Sequence, residues 1–97
     1  MGRREGLVEN YLRKRVKEEG GQIRKLKWIG RRGAADNLVW WTFPRVALIE
    51  CKAAGERVDP RSQQGRALAG MSRDGWPVFE VNSHAEVDEV LALVKYG

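Results

Sequence analysis

The spacing of apolar positions changes several times along the chain, and each change marks an element. Across residues 4–19, Leu7, Val8, Tyr11, Leu12 and Val16 recur at helical spacing and, with Arg15, spread over one broad face. Glu9 falls at the margin of that face, where a carboxylate is ordinarily a solvated flanking residue. Gly20-Gly21 stops the helix. Residues 22–29 alternate, with Ile23, Lys25, Lys27 and Ile29 on one side and Arg24, Leu26 and Trp28 on the other. Such mixed faces predict an edge strand, or one partly facing a ligand. Residues 36–43 carry apolar side chains on both faces and predict a central, doubly covered strand.

Pro44-Arg45 then reads as a two-residue hairpin tip leading into a third strand. Val46, Ala47, Leu48 and Ile49 form its buried run, which ends in Glu50, Cys51 and Lys52. A polar loop follows over residues 53–58. Asp59-Pro60 predicts a helix N-cap and first turn, and that helix runs to about Arg73 with Gln64, Ala67, Leu68 and Met71 inward and Gln63 outward. Residues 76–81 form a fourth strand. Ser83 and Glu86 make a capping box for a last helix that packs through Val87, Val90, Leu91 and Val94. The predicted class is α/β in the order αβββαβα. The third strand, helix and fourth strand form a βαβ-like crossover, which makes the sheet mixed, with helices on its faces.

Composition narrows the function classes. At 97 residues, one small domain over 1–97 with a single modest core is expected. No run reaches the roughly 20 apolar residues of a membrane-spanning helix, and Met1 to Glu5 carries no apolar signal core. One cysteine, Cys51, excludes an internal disulfide and fits a reducing cytoplasm, and one His with one Cys argues strongly against a structural zinc site within the chain. The net charge of +5 favours a polyanion such as nucleic acid. Gly30-Arg31-Arg32-Gly33, with Lys27 just before it, can wrap a phosphate backbone or be an ordinary charged turn. It lacks the lysine and hydroxyl of a P-loop.

Candidate chemistry sits at the end of the third strand. Glu50 and Lys52 are two apart and so share a face. A carboxylate and an ammonium on an otherwise buried strand are costly unless paired, hydrated or bound to a metal. Hard divalent cations want such carboxylate oxygens, and one bound beside a phosphodiester lowers the pKa of its water. Asp36 and Glu50 can supply the carboxylates, Lys52 can orient water or offset developing charge, and the Cys51 carbonyl is a further oxygen. Glu-x-Lys is common by chance in a chain rich in both residues, and a plain surface ion pair is the competing reading. An ideal two-residue hairpin pairs positions summing to about 89 and leaves Asp36 roughly 10 Å beyond the partner of Glu50. A bend or bulge near Asp36 is therefore expected.

Asp36 followed by Glu50-Cys51-Lys52 resembles the PD-(D/E)xK nuclease superfamily. The whole chain resembles its virus-type replication-repair nuclease family, the VRR-NUC domain, through Glu9, Gly33-Ala34-Ala35-Asp36, Glu50-Cys51-Lys52, Gln64 and Gly75. The resemblance implies a restriction-endonuclease-like fold, a central mixed sheet flanked by helices. It also implies a Mg2+- or Mn2+-dependent endonuclease. Asp36, Glu50 and the Cys51 carbonyl would hold the metal and Glu9 would reach it or its water. Lys52 would be the catalytic lysine, and Gln64 the site glutamine, with Gln63 one residue out of register. It further implies a homodimer that cuts branched DNA such as four-way junctions, in a bacterial or phage-infected cytoplasm. Ala35 departs from the family, which has proline before the aspartate. The alternative class is a non-catalytic basic DNA-binding module on the same fold; a structural protein with an incidental basic surface is the third.

Overall fold

A computed structural model describes residues 3–29 and 35–96, with side chains from Gly6 onward. Among these residues the elements follow in the predicted order. They are α1 (Arg3–Glu18), β1 (Gln22–Lys25), β2 (Asn37–Trp40), β3 (Val46–Cys51), α2 (Gln63–Arg73), β4 (Val78–Val81) and α3 (His84–Tyr96). The strands form an open sheet in the order β1-β2-β3-β4. The first two pairings are antiparallel, and β3 pairs β4 in parallel across the α2 crossover.

Strand alternation divides the core into two layers. Val39, Ala47, Ile49, Cys51 and Val81 meet the apolar stripes of α1 (Val8, Leu12, Val16) and α3 (Val87, Val90, Leu91) on one face. Leu48, on the opposite face, packs with Ala35, Val58 and Leu68 under α2. Leu12 and Ile49 are fully buried, and each such side chain stabilises the fold by about 1.5–3 kcal/mol. β3 is thus covered on both faces, as its continuous apolar run requires.

Several boundaries differ from the expectation. β1 ends at Lys25 rather than continuing to Ile29. A single bond, from Leu26 N to Asp36 O (2.7 Å), prolongs its pairing, and the Trp28 indole then turns to donate to Ala35 O (2.7 Å). Ile29 is exposed and gives the strand no reason to continue. β4 begins at Val78 rather than Trp76. α2 begins at Gln63, not at Pro60: Ser62 is the N-cap, its Oγ accepting from Gly65 N (2.9 Å). Asp59-Pro60 instead opens a turn, in which Asp59 O accepts from Ser62 N (3.0 Å). That turn lies against the first turn of α2. A Cβ on Gly65 would come within 2.1 Å of Asp59 O, so only glycine fits there.

The β2–β3 connection is the most consequential difference. A Pro44-Arg45 tip would be flanked by Phe43 and Val46, but the loop closes through Trp41 N to Arg45 O (2.8 Å), two residues earlier on one strand and one earlier on the other, with Arg45 N bonded to Thr42 O (3.0 Å) inside it. It contains a cis Phe43–Pro44 bond. β2 accordingly stops at Trp40, and Trp41 is anchored by its indole to Glu19 O (3.0 Å). The register is Asn37 with Ile49, Leu38 with Leu48, Val39 with Ala47, and Trp40 with Val46. Glu50 therefore does not face Val39. Continuing this register by one position would bring Asp36 opposite Glu50, although the pairing itself ends at Asn37 and Ile49 and the Asp36 carboxylate is bonded to Asn37 and Lys25.

Candidate active site

Glu50 lies at the end of β3, only 4% exposed, with its Oε2 3.9 Å from the Lys52 ammonium. Both share the Leu48 side of the sheet, beneath the start of α2. The half-buried Lys52 borders a groove with Arg57, Ser62, Gln63 and Gln64. Gln64 is half-buried and Gln63 exposed, as the helical spacing predicts. On the neighbouring strand Glu80 is the ladder partner of Glu50. Like charges directly opposite one another repel, and the Glu80 carboxylate is engaged elsewhere, accepting from Val58 N (2.8 Å).

A second group of polar side chains gathers where α1 crosses the start of β2. Asn37 is fully buried and its Nδ2 donates to both Glu9 Oε2 and Asp36 Oδ1, each at 3.0 Å. The Lys25 ammonium binds the same two carboxylates, through Glu9 Oε2 and Asp36 Oδ2 (3.1 Å). Burial pushes the Glu9 carboxyl up, but hydrogen bonds from Lys25 and Asn37 and the charges of Lys25 and Arg13 outweigh it and hold the pKa below the usual value. For Lys25 burial acts downward, and the bonds to Glu9 and Asp36 prevail, raising the ammonium pKa. The Cys51 thiol, 3.9 Å from Asn37 Nδ2, is pushed up to about 12 by burial and then by the negative charges of Glu9, Asp36 and Glu50. Carboxylates from α1, from the start of β2 and from β3 thus act on one buried point.

The donor set is chemically suited to a hard divalent cation: carboxylate oxygens, two of them already sharing a cation in the form of Lys25. Among the described residues no three His, Cys, Asp or Glu side chains converge as a finished cage. Magnesium does not need one, because it keeps several waters and is commonly held by one or two carboxylates plus substrate phosphate. Glu9 and Asp36 are turned toward Lys25 and Asn37, whereas Glu50 lies alongside Lys52.

Ala35 replaces a proline at the position that leads into Asp36. It is fully buried against Leu48, Val58 and Leu68, and its carbonyl accepts the Trp28 indole bond. Packing and that bond fix the backbone where a ring would otherwise do so. Lys27 is exposed beyond the end of β1. Arg31 and Arg32, with Gly33 and Ala34, lie outside the described residues. Lys25 and Asn37 were not expected at the site. The available signal was Asn37, a polar residue on the Val39 face of a strand predicted to be buried on both sides.

An open mixed sheet with αβββαβα order, Asp36 immediately before β2 and Glu50-Cys51-Lys52 at the end of β3, defines a restriction-endonuclease-like fold of the PD-(D/E)xK class. No protein-family model matches the chain. A solved structure described as "VRR_NUC domain" superposes with a TM-score of 0.81 at 33% identity, covering 97% of this chain and 98% of that one. A curated relative, "Putative nuclease p44" of Acyrthosiphon pisum secondary endosymbiont phage 1, is 39% identical over 57 residues. That match takes in 59% of this chain and 61% of the relative's length. The chain belongs to the VRR-NUC family of the PD-(D/E)xK nuclease superfamily. No helix among the described residues is long and apolar enough to cross a membrane.

Proposed function

We propose that residues 1–97 form a nuclease domain that hydrolyses DNA phosphodiester bonds with Mg2+ or Mn2+, as an endonuclease selective for branched DNA such as four-way junctions. The observation that carries the reading is the β2–β3 register, whose continuation by one position would set Asp36 across from Glu50, while Lys52 shares the face of Glu50. Asp36, Glu50 and the Cys51 carbonyl would hold the metal, and Glu9 would serve it or its water from α1. When bound, such a cation supplies a more acidic water and offsets charge on the phosphate. Lys52, 3.9 Å from Glu50, orients the attacking water and stabilises charge on the phosphoryl oxygens. Gln64, at the start of α2, positions the same water or the phosphate from across the groove. Lys27, Arg31 and Arg32 grip the DNA backbone. A two-fold dimer presents two such sites to the paired strands of a junction. The family's nuclease character, the phage relative and the net charge of +5 support a DNA substrate in a bacterial or phage-infected cytoplasm.

Cleavage of a panel of four-way, flapped, nicked and linear DNAs, with and without added Mg2+ or Mn2+, tests the proposal. Metal-dependent cutting of the four-way substrate is expected. Asp36→Asn and Lys52→Ala should each abolish it while leaving salt-dependent DNA binding within a few-fold of the parent. Wild-type protein that binds but cuts none of these DNAs would establish instead the non-catalytic binding module. A monomer in light scattering that cuts junctions fully would remove the dimer.

A further inference from the structure

The Lys25 ammonium occupies a place that a metal-dependent site cannot leave unchanged. It contacts Glu9 Oε2 and Asp36 Oδ2 at once, bridging α1 and the start of β2. Asn37 Nδ2 donates to the other Asp36 oxygen and to the Glu9 oxygen that Lys25 also uses. Two carboxylates are thus held to a single cation, and carboxylate oxygens are also what a hard divalent ion takes. The Lys25 side chain is half exposed, on a short edge strand, and four methylenes long. It can swing into solvent without disturbing the core, whereas Asn37 is fully buried and stays.

We propose that Lys25 is a built-in counter-ion for the metal site: it neutralises Glu9 and Asp36 while no metal is bound, and a divalent cation must displace it to bind. The inference rests on the metal-site reading given above and adds a residue and a competition to it. Three consequences follow from charge alone. Without metal, the carboxylates remain together because Lys25 offsets their repulsion. Metal affinity is weakened, because each binding event must release an ion pair. The released ammonium stays within a side chain's length of the metal, where an incoming phosphate is the available anion.

The test measures Mn2+ binding in the absence of DNA, by titration calorimetry or by the loss of free-Mn2+ electron spin resonance signal. Wild type, Lys25→Met and Lys25→Arg are compared, each with and without Asp36→Asn as a control for the location of the ion. Lys25→Met should bind Mn2+ roughly tenfold more tightly than wild type, as expected for removing one positive charge a few ångströms from a divalent ion. Lys25→Arg should bind no more tightly than wild type, and Asp36→Asn should abolish binding in every background. Without metal, Lys25→Met should melt lower than wild type and gain more from Mn2+ addition. A second measurement needs no substitution at Lys25. Titrating wild-type protein with diamagnetic Mg2+ should move the Lys25 Nζ resonance toward that of a free lysine.

Equal or weaker Mn2+ binding by Lys25→Met overturns the counter-ion and leaves the metal site intact. No Mn2+ binding by any variant, or binding untouched by Asp36→Asn, overturns both. Should Lys25→Met fail to fold, an Nζ signal unmoved at saturating Mg2+ refutes the displacement by itself.

Discussion

Asn37→Leu tests whether the buried amide is what holds the acidic residues together. Leucine matches asparagine in branching and heavy-atom count but its methyl groups are bulkier, so no cavity opens at the fully buried position and slight overpacking is expected. What disappears is a donor that serves Glu9 Oε2 and Asp36 Oδ1 at 3.0 Å each. Hydrogen bonds to charged groups are worth about 1.5–3 kcal/mol each. The Asp36 side chain is 32% exposed and its bond belongs at the low end of that range, since water replaces part of it. Against the loss stands the gain from burying a leucine in place of an amide, about 1.5–3 kcal/mol. The two bonds, about 3–4.5 kcal/mol together, less that gain leave about 0–3 kcal/mol, to which overpacking adds about 1 kcal/mol; a net destabilisation of about 1–4 kcal/mol results, and for a chain of this length each kcal/mol lowers Tm by roughly 4–8 °C.

The pH dependence makes the test specific. Asn37 helps hold the Glu9 carboxyl below its ordinary value, so its bond stabilises the fold above the unfolded carboxyl pKa of 4.5. That contribution fades as pH falls through the lower, folded pKa. Urea unfolding of wild type and Asn37→Leu at pH 7 and at stepped values down to pH 3 should therefore give a gap that is widest at neutral pH and narrows in acid. A gap under about 0.5 kcal/mol at pH 7, or one of constant size across the range, refutes the reasoning.

Gly65→Ala should destabilise the protein by about 1–3 kcal/mol in thermal melts despite alanine's better helix propensity, because the new methyl meets the Asp59 carbonyl at 2.1 Å and Pro60 Cα at 2.9 Å, both backbone. The Cys51 thiol, with its pKa pushed up to about 12, should be almost inert to a thiol-specific disulfide reagent at pH 8 and react promptly once urea unfolds the chain. Gly21→Ala should disturb the Trp41 indole, whose Cε2 would lie 2.6 Å from the added carbon, and change near-ultraviolet circular dichroism while costing less than Gly65→Ala, since a side chain can yield where a backbone cannot.

Period and strand alternation were enough to read the order of elements, the division of the sheet into two covered faces and the identity of its central strand. The apolar stripe of α1 and the run of Val46 to Ile49 each had one burial solution. Turn geometry was less legible. Pro44-Arg45 has the look of a two-residue tip, yet the loop is set by Trp41, whose indole is pinned to the end of α1 by a bond no local pattern reveals. The register accordingly differs by three from that of a two-residue tip, pairing Asn37 with Ile49. Likewise Asp59-Pro60 and Ser62 both qualify as helix starts, and the choice turns on the close approach that Gly65 permits. Lys25 escaped notice because its partners come from α1 and β2, far away in sequence.

β3 carries a further consequence for how this chain can change over generations. Its Glu50 is almost fully enclosed, and enclosing a charge is costly even when a lysine stands 3.9 Å away. An apolar residue of similar size there would give a more stable fold, as buried ion pairs replaced by hydrocarbon commonly do. Selection for stability alone would therefore drift away from glutamate at position 50. On the proposed reading, the metal site is what calls for a charge on this buried strand. A library of variants sorted for thermal resistance should discard Glu50 among the first and, on the proposed reading, lose metal-dependent cleavage with it.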